Sequence, residues 1–466
     1  MTTITVLFVV TTLLFLASLP YWLPILVIRL RTFIFTKMNG DEGIQIPGKH
    51  IKASEFKKIY ANKSVDGRSK GANLSNLFWY WLAPGPEMHQ EHIENWDHYK
   101  EVAAVTKNIL SVSNQEVASL LYKYAGKAFS TDIISSWKIV RLRDFVMPIC
   151  IGFFYELVFE ETCSNHDKKT ILKHSNNVVS ALKCCALRNM PKRNQVTELL
   201  IEKLKAGTFK HYFPEGYSIE DKALYLQGVF FTTAVVQMSD ALTHCFLTVA
   251  RHNEVQKKLY NNKNDKHYYD HVISETLRLY PLFGIAHRIT TDTIQTEANK
   301  TIPKGTVLCF NYPEYHKTGY DKPTMFIPER WETISKGTSN YVPFGVGANR
   351  PCPASHMSVI MMKKMLRFGI DKFEFFSSVE HTRSLPNRGA CIITSRDYKL
   401  SKTKKTILMT FLKVRDQWEK IYTSIIQLLY GYIMIMHAKE LKLTTRYYKN
   451  PRSSKNTQKT MVTNEL

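Results

Sequence analysis

Cys352 stands in the segment of this chain best suited to chemistry. It lies in Phe344-Gly-Val-Gly-Ala-Asn-Arg-Pro-Cys-Pro-Ala354, where the glycines permit a tight loop that another group can approach closely. A helical pattern begins at Pro353. A cysteine just before a helix meets unpaired N–H groups and the positive end of the helix dipole, which lower a thiol pKa and stabilise the thiolate as a ligand or nucleophile. Pro353 suits a first helical turn and leaves the N–H groups from Ala354 onward facing the sulfur. Read from the residues alone, the segment is a phosphate loop, a reactive cysteine or a structural turn. Phosphate binding is disfavoured, because Gly345-x-Gly347 lacks the third glycine of a dinucleotide fingerprint and no Walker lysine follows. A Cys/His nucleophile stays open, since no particular histidine pairs with Cys352 from sequence.

Other chemistry-bearing groupings are weaker alone. Glu275-Thr-Leu-Arg278-Leu-Tyr-Pro281 sets an acid and a base at i, i+3 on one helical face, with a proline ending the helix; most such pairs are exposed and nearly neutral for stability. Pro328-Glu-Arg-Trp331 and Trp137-x-x-x-Arg141 say little by themselves. His89, Glu91, His92 and His98 could ligate a metal, but without H-E-x-x-H spacing or a cysteine partner they read as a solvated face. Met357, Met361, Met362 and Met365 recur at close to helical spacing and read as core filler.

In this order and at these separations, the glutamate–arginine helix, the P-E-R-W segment and the cysteine loop together resemble the cytochrome P450 family. Trp137 and Arg141 are similar to that family's haem-propionate motif, and Ala250-Arg-His-Asn-Glu-Val-Gln256 to the end of its long central helix. The resemblance covers roughly residues 80 to 395. It implies that Cys352 is the axial thiolate of a haem b iron, with Phe344 packed near the sulfur and tuning the metal. It implies further that Glu275, Arg278 and Arg330 form a buried network bracing the haem-side core. Trp137, Arg141, Arg288 and Arg350 would then hold the propionates, as arginine forks suit carboxylates.

The chain departs from the family pattern in two places. The cysteine loop has one extra residue between Gly347 and Arg350, and Ala354 stands where a glycine is usual. In the central helix, counting back from Ala250-Arg251-His252 puts Val236 and Gln237 where the family has a proton-relaying acid and threonine. Valine carries no proton. Gln237 can hold a water, but its amide is a poor shuttle. Thr232, Thr233, Ser239 and Asp240 are close in sequence, yet each is turned at least about 100° from one or both relay positions on an α-helix.

The elements that must position these residues follow from the hydropathy pattern. The 466 residues are 44% hydrophobic and 22% charged, which excludes wholesale disorder. Between about 101 and 260 the periodicity is helical, and the pattern from Asp221 to His252 predicts a buried helix through the core. After Pro281, short runs such as Thr306–Phe310 read as strands. The expected fold is mainly α with small β-sheets, a haem domain preceded by a transmembrane helix.

Met1 to Ile28 contains no charge, and Ile4–Ile28 is long enough to cross a bilayer core of about 30 Å, with Pro20 and Pro24 placed to kink or shorten it. Arg29, Arg31 and Lys37 follow, so the positive-inside rule faces the catalytic domain to the cytosol, as on the endoplasmic reticulum. The expected division is residues 1–30 as anchor, 31–80 as linker and start of the soluble domain, 81–396 as haem domain, 397–445 as a basic helical extension and 446–466 as a disordered basic tail. The uncharged run Ile421–Met436 is short for a span and reads as a helix packed on the domain or lying in the membrane interface. The formal charge of +23 favours anionic partners, but no nucleic-acid motif accompanies it. Eight cysteines without C-x-x-C spacing suggest neither a disulfide framework nor a zinc ribbon.

The activity implied by the resemblance is insertion of one oxygen atom into an apolar small molecule, with electrons from a separate reductase. A peroxide-using or rearranging haem-thiolate enzyme needs no relay and is the nearest alternative. A non-catalytic haem- or lipid-binding membrane protein is the alternative outside enzymes.

Overall fold

The computed structural model describes residues 3–38, 43–65, 67–68, 96–129, 136–262, 265–282, 284–297, 299–382 and 389–441. His89, Glu91, His92 and Asn73 lie outside the described residues, as does the tail from 446. His98 is described: it is exposed on a helix, its ring 5.8 Å from that of Tyr217.

Helix α1 (Thr3–Met38) runs unbroken through Pro20 and Pro24. Strand β1 (Ile44–Ile46), helix α2 (Phe56–Ala61) and strand β2 (Gly67–Arg68) follow. Residues 44–65 are folded into the domain: Ile46, Phe56, Tyr60 and Val65 are buried in one cluster with Phe310 and Tyr315.

The helical body comprises α3 (Trp96–Ile109), α4 (Asn114–Ala128), α5 (Leu142–Phe159), α6 (Asn165–Leu182), α7 (Met190–Lys205), α8 (Ile219–Leu226), α9 (Val235–Arg251), α10 (Asn253–Asn261) and α11 (Lys266–Leu279). Side-chain caps mark the starts of several of them, as expected for Ser and Asn at such ends. Ser113 accepts from Glu116 N, Ser164 from Asp167 N, Asn189 from Lys192 N, and Ser218 forms a capping box with Asp221.

Between α8 and α9, residues Gln227–Ala234 continue the same path as a π-helix. The central helix is thus one element from 219 to 251. It is buried because its apolar residues surround it, Phe230, Phe231, Leu242, Cys245, Phe246 and Val249 among them.

Strands β4 (Ile285–Ile289), β5 (Ile294–Gln295), β6 (Thr301–Ile302) and β7 (Val307–Asn311) precede the short helix α12 (Tyr312–Tyr315) and a 3₁₀ turn at Pro328–Glu332. Helix α13 (Ser355–Lys372), strands β8 (Phe373–Phe376) and β9 (Ala390–Ser395) and helix α14 (Lys402–Glu440) end the described chain, with β3 (Trp137–Arg141) preceding α5. One sheet has the order β1-β7-β4-β2, with β1 parallel to β7 and the other pairs antiparallel; a second is β3-β9-β8, all antiparallel; β5 and β6 pair by themselves. Met357, Met361, Met362 and Met365 of helix α13 are all buried in the main apolar cluster, so these methionines are core.

Candidate functional site around Cys352

The cysteine loop is held from both ends of its backbone. Cys352 N–H donates to the carbonyl of Phe344 (3.1 Å), and the Cys352 carbonyl accepts from Ser355 N–H (3.3 Å). Two tight turns make this possible. Gly345 has φ 81°, where a side chain would be strained, and Arg350 takes φ 48° without being glycine. Helix α13 begins at Ser355, with Ala354 as its cap residue. Pro353 therefore lies in the turn before the helix rather than in its first turn as the sequence suggested, and Cys352 stands three residues ahead of the first helical residue.

The other cysteines have different surroundings. Burial pushes the thiols of Cys150, Cys163, Cys184 and Cys245 up to about 12, and raises Cys391 likewise. They are packing residues. Among the eight cysteines, all unpaired in disulfides, Cys352 and Cys185 are the two that are not fully buried, and burial raises Cys185 as well.

Arg288 and Arg350 converge on this loop. Arg288, buried on β4, donates to the Tyr60 hydroxyl (3.0 Å), and the Tyr60 carbonyl accepts from Asn349 Nδ2 (2.9 Å). Asn349 lies in the stretch where the loop carries its extra residue, so the insertion ties the loop to α2. Arg350 stacks its guanidinium on Tyr99 of α3, 4.8 Å from the ring centre. Tyr60 and Tyr99 were invisible in the sequence because nothing in their local pattern distinguishes them from core aromatics.

Trp137 and Arg141 are not brought to this group. They lie on a strand, in register with Thr394 and Ala390. Trp137 packs in a satellite cluster with Phe376, Ala390, Ile392 and Leu412, under Lys404 of α14 (4.5 Å to the ring). Arg141 is exposed and faces Glu419 of α14. The same Trp-x-x-x-basic spacing recurs at Trp96 and Lys100, which lie on α3 beside Tyr99. The sequence could have shown this second match, but Lys in place of Arg made it less conspicuous.

Behind the loop stands the charge network expected of Glu275, Arg278 and Arg330. Glu275 accepts from Arg278 Nε (2.9 Å) and Nη2 (2.8 Å), Arg330 Nε (2.9 Å), Trp331 Nε1 (3.0 Å) and Ile327 N–H (3.1 Å). The Glu275 and Arg278 side chains are fully buried, a situation tolerable only with every charge paired. Trp331 is a member the sequence did not reveal. The network also reaches the cysteine loop, because Arg278 Nη1 donates to the His316 carbonyl (3.2 Å) and His316 Nε2 accepts from Val342 N–H (2.9 Å), two residues before Phe344.

Along the central helix, residues 235–251 are uninterrupted α-helix and carry Val236 and Gln237. Gln237 is half-buried and Val236 buried. Their neighbours are committed elsewhere: Thr232 Oγ1 is 3.2 Å from His174 Nε2, and Ser239 Oγ donates to Val235 O (2.5 Å). Asp240 faces Arg143 (3.6 Å) and Lys183 (3.7 Å). Burial pushes the Asp240 pKa up, but the charges of Lys183, Arg143 and His244 outweigh it and hold the carboxyl below its ordinary value. Burial pushes Lys183 down to about 8. Thr233, half-buried like Gln237, lies four residues before it at the end of the π segment.

With this geometry in view, residues 186–401 match the family model of cytochrome P450. Cytochrome P450 3A13 of Mus musculus is 31% identical over 170 residues, 32% of this chain and 33% of that protein. Cytochrome P450 3A29 of Sus scrofa is 27% identical over 252 residues, 50% of this chain and 49% of that protein. The match thus spans half or less of the length of these relatives. Among solved structures, a zebrafish cytochrome P450 with progesterone superposes with a TM-score of 0.60 at 16% identity, covering 74% of this chain and 92% of that one. The cytochrome P450 OleT in complex with arachidonic acid gives 0.61 at 14% identity, covering 75% and 88%. The chain is thus similar to the cytochrome P450 family in sequence over residues 186–401, and its fold is that of solved cytochromes P450 over about three quarters of its length.

Proposed function

We propose that this chain is a membrane-anchored haem-thiolate monooxygenase that inserts one oxygen atom into an apolar small molecule, with electrons from a separate reductase. The observation that carries the reading is Cys352, half-buried in a loop pinned at both ends and backed by a fully paired buried charge network. The donor chemistry suits a haem b iron. Among the described residues no three His, Cys, Asp or Glu side chains are grouped to hold a metal, so an iron at Cys352 must bring most of its ligands with it, as a porphyrin does. A Cβ at Gly345 or Gly347 would meet nothing within 4 Å, which leaves room against the loop backbone. When bound, haem supplies the oxygen-activating chemistry, favoured by electron donation from a thiolate.

The chain's own residues bind and orient. Arg288 and Arg350, drawn from two elements, would pair with the two propionates. Phe344, whose carbonyl accepts from Cys352 N–H, would pack near the sulfur. Gln237 would hold a water on the central helix without relaying a proton efficiently. Trp137 and Arg141 are left out of the propionate set, given their partners on β9 and α14.

The second reading, a peroxide-using or rearranging enzyme, is supported by one observation: Asp240, the acid nearest to Val236 and Gln237 on the central helix, is engaged by Arg143 and Lys183. Turnover with a reductase and reduced nicotinamide, compared with turnover on peroxide, separates the two; turnover with neither would favour a binding protein. For the ligand itself, the reduced carbon-monoxide difference spectrum of the full chain should carry a thiolate signature that Cys352→Ser abolishes. A signature that persists in Cys352→Ser would mean another ligand and end the reading. Helix α1, long and apolar enough to cross a membrane, supports anchoring with the catalytic domain in the cytosol, on an endoplasmic-reticulum-like membrane.

A further inference from the structure

Tyr60, in the last turn of α2, is packed as a core aromatic. Its ring meets Phe310 edge-on at 4.8 Å and stacks on Phe56 at 6.3 Å, and a phenylalanine would serve that packing equally well. The hydroxyl is what packing does not explain. It accepts from Arg288 Nη2 (3.0 Å), and among the described residues nothing accepts its own proton. A phenolic hydroxyl is both donor and acceptor, and a buried one ordinarily finds a partner for its proton. At 4% exposure Tyr60 cannot turn that proton to bulk water. A buried donor with no acceptor, beside a buried guanidinium, marks the place of an oxygen that some other molecule brings.

Given the haem reading of the Cys352 site, on which this rests, we infer that Tyr60 is a haem-binding residue whose O–H donates to the same propionate that Arg288 pairs with. The Tyr60 hydroxyl and Arg288 Nη2 are 3.0 Å apart, so one carboxylate can accept from both. Charge assistance makes an anionic oxygen a better acceptor there than water or a neutral carbonyl. The guanidinium also stands over the Tyr60 ring, 5.2 Å from its centre, which holds the arginine in place. Tyr60 is in turn fixed to the cysteine loop, because its carbonyl accepts from Nδ2 of the buried Asn349 (2.9 Å), three residues before Cys352. One residue of α2 thus links the propionate arginine to the loop that bears the thiolate. It supplies a donor in place of Trp137 and Arg141, which are engaged against β9 and α14.

The test uses the full chain in detergent and reads the rate of haem loss to excess apomyoglobin, alongside the reduced carbon-monoxide spectrum. Tyr60→Phe removes the hydroxyl alone. Tyr315→Phe is the reference, since Tyr315 is buried in the same cluster and stacks on Phe56 at 4.1 Å. Parent and variants are each loaded with haem and with haem dimethyl ester, whose propionates carry no charge. Loss of a hydrogen bond to a charged group should make Tyr60→Phe release haem on the order of tenfold to a hundredfold faster than the parent. With the ester that difference should shrink to a few-fold or less, because a neutral ester is the weaker acceptor. Tyr315→Phe should release haem at the parent's rate, and all three proteins should keep the thiolate signature. A Tyr60→Phe rate equal to the parent's, a faster loss that persists undiminished with the ester, or an equal acceleration in Tyr315→Phe would overturn the inference and leave the Cys352 reading standing. A parent that takes up no haem, or takes it up without a thiolate signature, ends the reading of the site and this inference with it.

Discussion

Replacing Glu275 by glutamine keeps the volume of the side chain and removes its charge. In the folded chain Glu275 accepts five hydrogen bonds, three of them from the guanidinium groups of Arg278 and Arg330. The substituted amide can accept at its oxygen, but its NH2 would face N–H donors. Two buried cations would then lose their counter-charge, and breaking a buried pair from one side costs about 3–5 kcal/mol. The two arginines keep acceptors in the carbonyls of His316, Pro323, Met325, Asp321 and Lys322, which places the expected loss near the lower end, about 3 kcal/mol. Against a total stability of roughly 5–15 kcal/mol this is a large fraction. Urea unfolding of the detergent-solubilised full chain, followed by tryptophan fluorescence, measures it. Lys257→Gln breaks an exposed pair with Glu254 (3.0 Å) and serves as reference, expected to change stability by at most about 1 kcal/mol. Equal, small losses in the two variants would refute the claim that the buried network braces the fold.

Three further outcomes are expected. Gln237→Ala should perturb water binding at the iron while leaving haem content intact, and reductase-driven turnover of the parent should be slow or release peroxide; well-coupled turnover that survives Gln237→Ala and is lost in Thr233→Ala would move the relay to the threonine one turn earlier. Glu380, 3.4 Å from His252 Nε2 and, despite partial burial, also held by the Tyr280 hydroxyl and the charge of Arg251, has its carboxyl drawn down to about 2. Its folded pKa lies below the unfolded value of 4.5, so its stabilisation is full above about pH 4.5 and is lost as pH falls toward 2; Glu380→Gln should flatten the acid limb of the stability curve over that interval, and an unchanged limb would remove Glu380 as its cause. Finally, Asn62, Asn73 and Asn299 each begin an N-x-S/T sequon, and expressed in a eukaryotic cell the protein should show no mass loss on deglycosylation; sugar on any of the three would place the domain on the opposite side of the membrane.

Much of this protein was legible from sequence because its signals are local or ordered along the chain. The cysteine loop, the i, i+3 acid and base on α11, the uncharged N-terminal run and the helical periodicity of the body each depend on neighbours in sequence. Periodicity likewise put Val236 and Gln237 on the same central helix as Ala250. Tertiary structure decided what depends on residues distant in sequence. It put Trp137 and Arg141 on a strand against α14, because cross-strand pairing with β9 overrides any helical reading of four-residue spacing. It brought Tyr60 and Asn349 together across the fold, joined Trp331 to Glu275, and turned Asp240 toward Arg143 and Lys183. It also set the polarity of α14, where Trp418, Tyr422, Ile425 and Leu429 are exposed while Asp416 and Gln427 are buried: periodicity shows that the helix has an apolar stripe, and only packing against α1 and the β3-β9-β8 sheet, which claims the polar side for the interior, leaves that stripe facing out.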